Sequence, residues 1–163
     1  MKLQLYTFIL ERSVLMDDLD IRMLKLLQED GRMTISQLSQ QLALSRPSVS
    51  ERLYRLQSQG IIEGFTARVP PAAVGRQMLL FIQISQMRIN PAEFEKFITE
   101  QPYILECHRV TGTVSYFLKA AVANMPSLQK LVDQLIPYGT VNTSIVLSSP
   151  VAYRPLLPEE ELI

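Results

Sequence analysis

The sequence contains one cysteine, one histidine and no tryptophan. A lone thiol, Cys107, excludes an internal disulfide, and with only His108 beside it the chain lacks the soft donors of an ordinary zinc site. Net charge is missing too: 16 Lys and Arg balance 16 Asp and Glu, so any attraction to nucleic acid must be local. No apolar run reaches membrane length, and no membrane partner is expected. There is no Gly-rich phosphate loop, metal-binding cluster or pair of catalytic carboxylates, so neither enzyme activity nor a cofactor is expected. Cys107 and His108 are neighbours on a predicted strand; their side chains point to opposite faces and cannot make a nucleophile–base pair. The seven methionines are scattered and read as packing. A reducing, cytoplasmic setting fits.

What remains is a chain of 163 residues, 47% apolar and 20% charged, which can bury a core in two compact modules at most. Residues 1–16 admit two readings. Leu3, Leu5 and Thr7 alternate with Gln4, Tyr6 and Phe8 as a short strand would, or the segment lies upstream of a start at Met16. Glu11 and Arg12 interrupt it, and with no small-residue cleavage site it does not read as a signal peptide.

From Asp17 the pattern turns helical. Leu19, Met23, Leu26 and Leu27 recur at spacings of three and four, and Gly31 ends the run. Thr34 with Gln37 forms a capping-box signature ahead of Ile35, Leu38 and Leu42. A third helix opens at Ser45, tolerates Pro47 in its first turn and closes at Gly60. On it Val49, Leu53 and Leu56 share one side, while Pro47, Glu51, Tyr54 and Arg55 face away. This is the spacing of a helix-turn-helix, with Ile61, Ile62, Phe65, Ala67 and Val69 as a wing or linker strand.

Charge localises on the same stretch. Residues 31–76 hold six arginines, Arg32, Arg46, Arg52, Arg55, Arg68 and Arg76, against Glu51 and Glu63. The candidate contacts to double-stranded DNA are Thr34, Ser36, Ser45, Arg46, Pro47, Ser48, Ser50, Glu51, Tyr54 and Arg55. Arg46, Ser48 and Ser50 stand at a helix N-terminus, whose backbone N–H groups suit phosphate, and Arg is the side chain best shaped for guanine. Arg46 is expected to reach base edges, and Arg55, two turns on, phosphate.

After Pro70-Pro71 and Gly75 the composition shifts, marking a hinge. Met78 to Ile84 is an apolar run of strand length, and Asn90 caps a helix with Pro91 first and Phe94, Phe97 and Ile98 inward. Strands Ile104 to Thr111 and Tyr116 to Ala123 flank a turn at Gly112-Thr113, a helix opens at Met125-Pro126-Ser127, and Val141 to Leu147 closes the module. The order is that of a split βαβ, ferredoxin-like βαββαβ domain. The class is α+β: a winged helix-turn-helix over 17–66, a hinge strand or linker over 67–76, the ferredoxin-like domain over 77–150 and a tail over 151–163. Helices cover one sheet face; Phe81, Val122 and Val146 are expected on the other, which calls for self-association. Glu159 to Glu161 read as a solvated acidic end.

Leu19-Asp20, Asp30-Gly31-Arg32, Leu38-Ser39, Leu44-Ser45, Glu51-Arg52-Leu53, Leu56, Gly60-Ile61-Ile62 and the run from Ile104 to Gly112 resemble the Lrp/AsnC, or feast/famine, family of bacterial and archaeal transcription regulators. The resemblance spans about Met16 to Pro155. It implies dimers that associate into tetramers, octamers or other closed rings, with a C-terminal domain that binds small effectors, often amino acids. The implied effector residues are Gly112, Thr113, Val114, Ser115 and Tyr116 in the turn, with Thr143 on the last strand. The chain departs from the family here: amino-acid sensors commonly show Gly-Asp-x-Asp-Tyr, and Thr113 and Ser115 replace both acids. A hydroxyl holds an ammonium less strongly than a carboxylate does, so weak binding of ordinary amino acids is expected. The function expected is sequence-specific DNA-binding transcriptional regulation, with or without an effector at inter-dimer sites. The alternative is a ligand-independent, DNA-wrapping architectural protein of the same fold.

Overall fold

The computed structural model describes residues 16–158. The expectations for residues 1–15 and for Glu159 to Glu161 lie outside the described residues. The described residues divide into two compact units, one of residues 16–67 with 151–158 and one of Arg68–Pro150.

The first unit is built on three helices, α1 (Asp18–Glu29), α2 (Ile35–Leu42) and α3 (Arg46–Ser58). Each begins where a side chain accepts an otherwise unpaired N–H: Asp17 from Asp20, Thr34 from Gln37 and Ser45 from Ser48. Asp17 and Thr34 form reciprocal capping boxes with Asp20 and Gln37. Between α2 and α3 the chain reverses at Ala43 in the left-handed region (φ 54°), a conformation unusual for a residue with a Cβ. The Leu44 N–H and the Ser39 hydroxyl secure that turn. Met23, Leu38, Val49 and Leu56 are fully buried and meet at the centre of the unit.

Directly after α3 no strand forms. Residues 61–70, expected as a wing or linker strand, make no ladder with any of the described residues. Ile61 and Ile62 instead donate their N–H groups to the Leu56 carbonyl at 2.9 and 3.1 Å and pack against the helical core. The expected hinge strand contains a 3-10 turn at Pro71–Val74, ended by Gly75 at φ 80°.

The second unit runs β1 (Met78–Ser85), α4 (Pro91–Thr99), β2 (Ile104–Arg109), β3 (Val114–Val122), α5 (Met125–Leu135) and β4 (Thr140–Ile145). The antiparallel sheet has the order β2-β3-β1-β4, the ferredoxin-like arrangement. Alternation puts Leu80, Ile82 and Ile84 of β1 and Tyr116, Leu118, Ala120 and Val122 of β3 under the helices, against Phe94, Ile98, Leu131 and Leu135. Val122, expected on the open face, is thus buried: it shares the parity of Leu118 and Ala120. Phe81 and Phe117 emerge on the open face and are 46% and 39% exposed, with the Lys119–Glu106 ion pair beside them at 2.7 Å. Among the described residues no helix is long and apolar enough to cross a membrane, and no cluster of three or more His, Cys, Asp or Glu side chains could hold a metal.

Candidate nucleic-acid interface and effector site

Burial of Val49 and Leu56 decides which side of α3 faces outward. Ser45, Arg46, Pro47, Ser50, Glu51, Tyr54 and Arg55 are exposed, Tyr54 by 73%, while Ser48 is half-buried. Thr34 caps α2 and Ser36 lies in its first turn, and the Arg46 guanidinium donates to the Ser36 hydroxyl at 2.9 Å. The structure therefore joins the starts of α2 and α3 into one polar surface. Arg46 and Pro47 occupy the first two positions of α3, where helical N–H groups point outward and the helix dipole favours an anion.

The other α3 arginines are differently engaged. Arg52 donates to Asp17 at 2.6 Å and to Asp20 at 2.9 Å, and Arg55 donates to Asp20 at 2.5 Å. Asp20 is 1% exposed, so α1 and α3 are stapled by a carboxylate that both guanidiniums keep paired. The Asp20 N–H, with the Arg52 guanidinium next, holds the Asp17 carboxyl below its ordinary range. Asp17 and Asp20 thus neutralise two of the arginines counted toward the local surplus. Arg55, expected as a phosphate contact, is first a structural partner of Asp20. Sequence spacing held no signal for this staple beyond acids at the start of one helix and arginines on another.

In the second unit the β2–β3 turn is closed by the Val110 N–H on the Ser115 carbonyl at 3.0 Å, with Gly112 at φ 109°. Gly112 and Thr113 are exposed, and Val114 and Ser115 half-buried. Tyr116 is 1% exposed: its ring packs 4.7 Å from that of Phe94 and its hydroxyl donates to Glu95 at 2.9 Å. Burial first, and the Glu95 carboxylate second, push the phenol up to about 12. Thr143 lies opposite Ile82 on the edge strand β4, beside a shallow groove with Met125, Leu128, Gln129 and Val132. Two strand spacings separate β4 from β3, so the fold of one chain does not bring Thr143 to the Gly112–Tyr116 turn.

Cys107 faces the helices, where burial pushes its thiol up, whereas His108 is 65% exposed near Glu106. Two further contacts had no sequence signal: the acceptor Glu95 under Tyr116, and Gln28, which holds the backbone of Leu156.

Residues 16–63 match the winged helix-turn-helix DNA-binding domain, and residues 79–156 match the Lrp/AsnC ligand binding domain. The chain is 32% identical to an uncharacterized HTH-type transcriptional regulator, YezC, of Bacillus subtilis, over 82% of this chain and 95% of the relative. It is 36% identical to the leucine-responsive regulatory protein of Escherichia coli, over 74% of this chain and 76% of that one. A crystal structure of a transcriptional regulator of Neisseria meningitidis in complex with L-Met superposes with a TM-score of 0.80 at 30% identity, covering 86% of this chain and 96% of that one. Helices, sheet order and both domain matches agree, and the chain belongs to the Lrp/AsnC family of DNA-binding transcriptional regulators.

Proposed function

We propose that the protein works in the cytoplasm as a homodimer, assembling further to tetramers or octamers, that sets α3 of each subunit into the major groove of duplex DNA. The observation that carries this is the exposed start of α3, where Arg46 and Ser50 stand out from a helix packed on its far side by Val49 and Leu56. Arg46 reads a base edge from this position. The side chains of Thr34, Ser36, Ser45 and Ser48 and the helix N–H groups hold phosphate, and Glu51 and Tyr54 face the groove. Dimerisation is supported by the open sheet face, where Phe81, Leu105 and Phe117 are each about two-fifths exposed or more.

An effector seated at Gly112–Ser115 of one chain meets Thr143 only if another subunit supplies it, since β1 separates the two within a chain. The bound L-Met of the Neisseria regulator supports an effector role for this domain. Because hydroxyls replace the usual acids at positions 113 and 115, the effector here depends little on a cationic group.

Genome-wide occupancy with and without an amino-acid mixture tests the proposal. A limited set of sharp, two-fold symmetric sites is the expected result. Broad occupancy of curved DNA, indifferent to small molecules, would overturn it in favour of a DNA-wrapping role.

A further inference from the structure

Gln28 sits near the end of α1 and reaches a residue 128 positions away. Its Nε2 donates to the Leu156 carbonyl and its Oε1 accepts the Leu156 N–H, both at 2.8 Å. This is the donor and acceptor pair that a neighbouring strand would offer, supplied here by the two atoms of one carboxamide. The Tyr153 hydroxyl approaches the same Oε1 at 3.4 Å. One residue on, Leu157 packs against the core of the helical unit. Leu156, Leu157 and Pro158 form one wall of a groove whose other walls include Leu24 and Leu27 of α1 and Ile61, Ile62 and Phe65 after α3. No lining residue belongs to α3, so the seated segment leaves the outward face of that helix uncovered.

We propose that the segment Tyr153–Pro158 is an intramolecular ligand of the DNA-binding unit, and that docking it gives the two units a second chain connection. Its occupant is settled by what the chain itself places there: an extended segment read through its backbone by Gln28 and anchored by one leucine. Pro155 and Pro158 flank the anchor, and proline lowers the entropy lost on ordering. The segment leaves the sheet just after Val146, whose N–H donates to the Leu79 carbonyl at 2.9 Å. Linker and segment therefore both cross from one unit to the other. Two connections leave the DNA-binding unit less freedom than one, which raises the effective concentration of the second α3 once the first is bound.

The DNA arm of the test rests on the dimeric reading proposed above, and the exchange arm does not. The probes are the full-length protein, full-length Gln28→Ala and a chain ending at Pro150. In Gln28→Ala the Leu156 amide should exchange about tenfold faster with deuterium, as expected when a paired N–H is released. In both variants the helical unit should unfold about 4–8 °C lower. Affinity for a duplex with two half-sites should fall about tenfold, while affinity for one half-site stays within about twofold. A Leu156 amide that exchanges equally fast with and without Gln28, or a truncated chain that melts and binds two half-sites like the full one, overturns the inference. If the full-length protein itself shows no preference for two half-sites over one, the dimeric reading fails, and exchange at Leu156 still decides the docking.

Discussion

Asp20 and Arg52 stand 32 residues apart in sequence and 2.9 Å apart in space, joining the first helix of the DNA-binding unit to the third. The carboxylate is 1% exposed and the guanidinium 20%. Asp20 also accepts from Arg55 and from the Asp17 N–H. A buried carboxylate with that many donors is stable only while they stay in place. The packing of α3 against α1 therefore depends on this cluster of two acids and two arginines.

Replacing Asp20 by Ala should destabilise the helical unit by about 3 kcal/mol, because both guanidiniums lose a shared partner. Arg52→Ala should cost more than Arg55→Ala, since Arg52 is less exposed and reaches Asp17 as well. Chemical denaturation followed by circular dichroism measures the order; a larger loss for Arg55→Ala would contradict it.

Acid should weaken the same cluster. The Asp17 carboxyl is held below its ordinary range by the Asp20 N–H first and Arg52 second. A carboxyl so depressed contributes stability above its unfolded value, near 4, and loses it as pH falls through the lower folded value. Titrating from neutral toward pH 3 should unfold the helical unit less steeply in Asp17→Asn than in the wild type.

Arg46→Ala should change the ranking of operator sequences and lower the slope of log affinity against log salt by about one or less. Arg55→Ala should act mainly through stability, weakening all DNA together after correction for the folded fraction, because its guanidinium is committed to Asp20. Binding titrations on specific and random duplexes at several salt concentrations separate the two. Identical profiles for both variants would remove the distinction.

Tyr116→Phe should keep the contact with Phe94 and lose only the bond to Glu95, costing about 1 kcal/mol at neutral pH. The tyrosine is held protonated up to about 12 in the fold, so its contribution is present below the unfolded value near 10 and is lost between the two. Alkaline unfolding should therefore begin later in the Phe variant, relative to its own neutral stability.

Calorimetry against the common amino acids should show weak binding or none, as an ammonium meets hydroxyls at Thr113 and Ser115. Installing Thr113→Asp with Ser115→Asp should raise amino-acid affinity by roughly ten- to a hundredfold, the equivalent of about 1–3 kcal/mol for a better paired charge. Micromolar binding of one amino acid by the unaltered chain would refute the expectation.

Much of this was legible from local rules. Thr34 with Gln37, Ser45 with Pro47, and Asn90 with Pro91 mark helix starts because a cap acts over three or four residues, within reach of a sequence pattern. Alternation along β1 and β3, with a turn at Gly112, yields the strand plan for the same reason. The outward face of α3 follows from Val49 and Leu56, whose spacing of seven is two helical turns.

What the sequence by itself determined is therefore the three helices of the first unit, the order of strands and helices in the second, and the candidate DNA-reading surface. Tertiary structure alone decided the long-range partners: that Arg55 answers to Asp20, that residues 61–70 pair with no strand among the described residues, and that Gln28 holds Leu156. It also decided that Thr143 and the Gly112–Tyr116 turn are separated by an intervening strand. The reason is range. Periodicity and capping are set by neighbours within about one turn of helix or a strand's alternation, whereas these pairings depend on where folding brings segments tens of residues apart, which no spacing along the chain encodes.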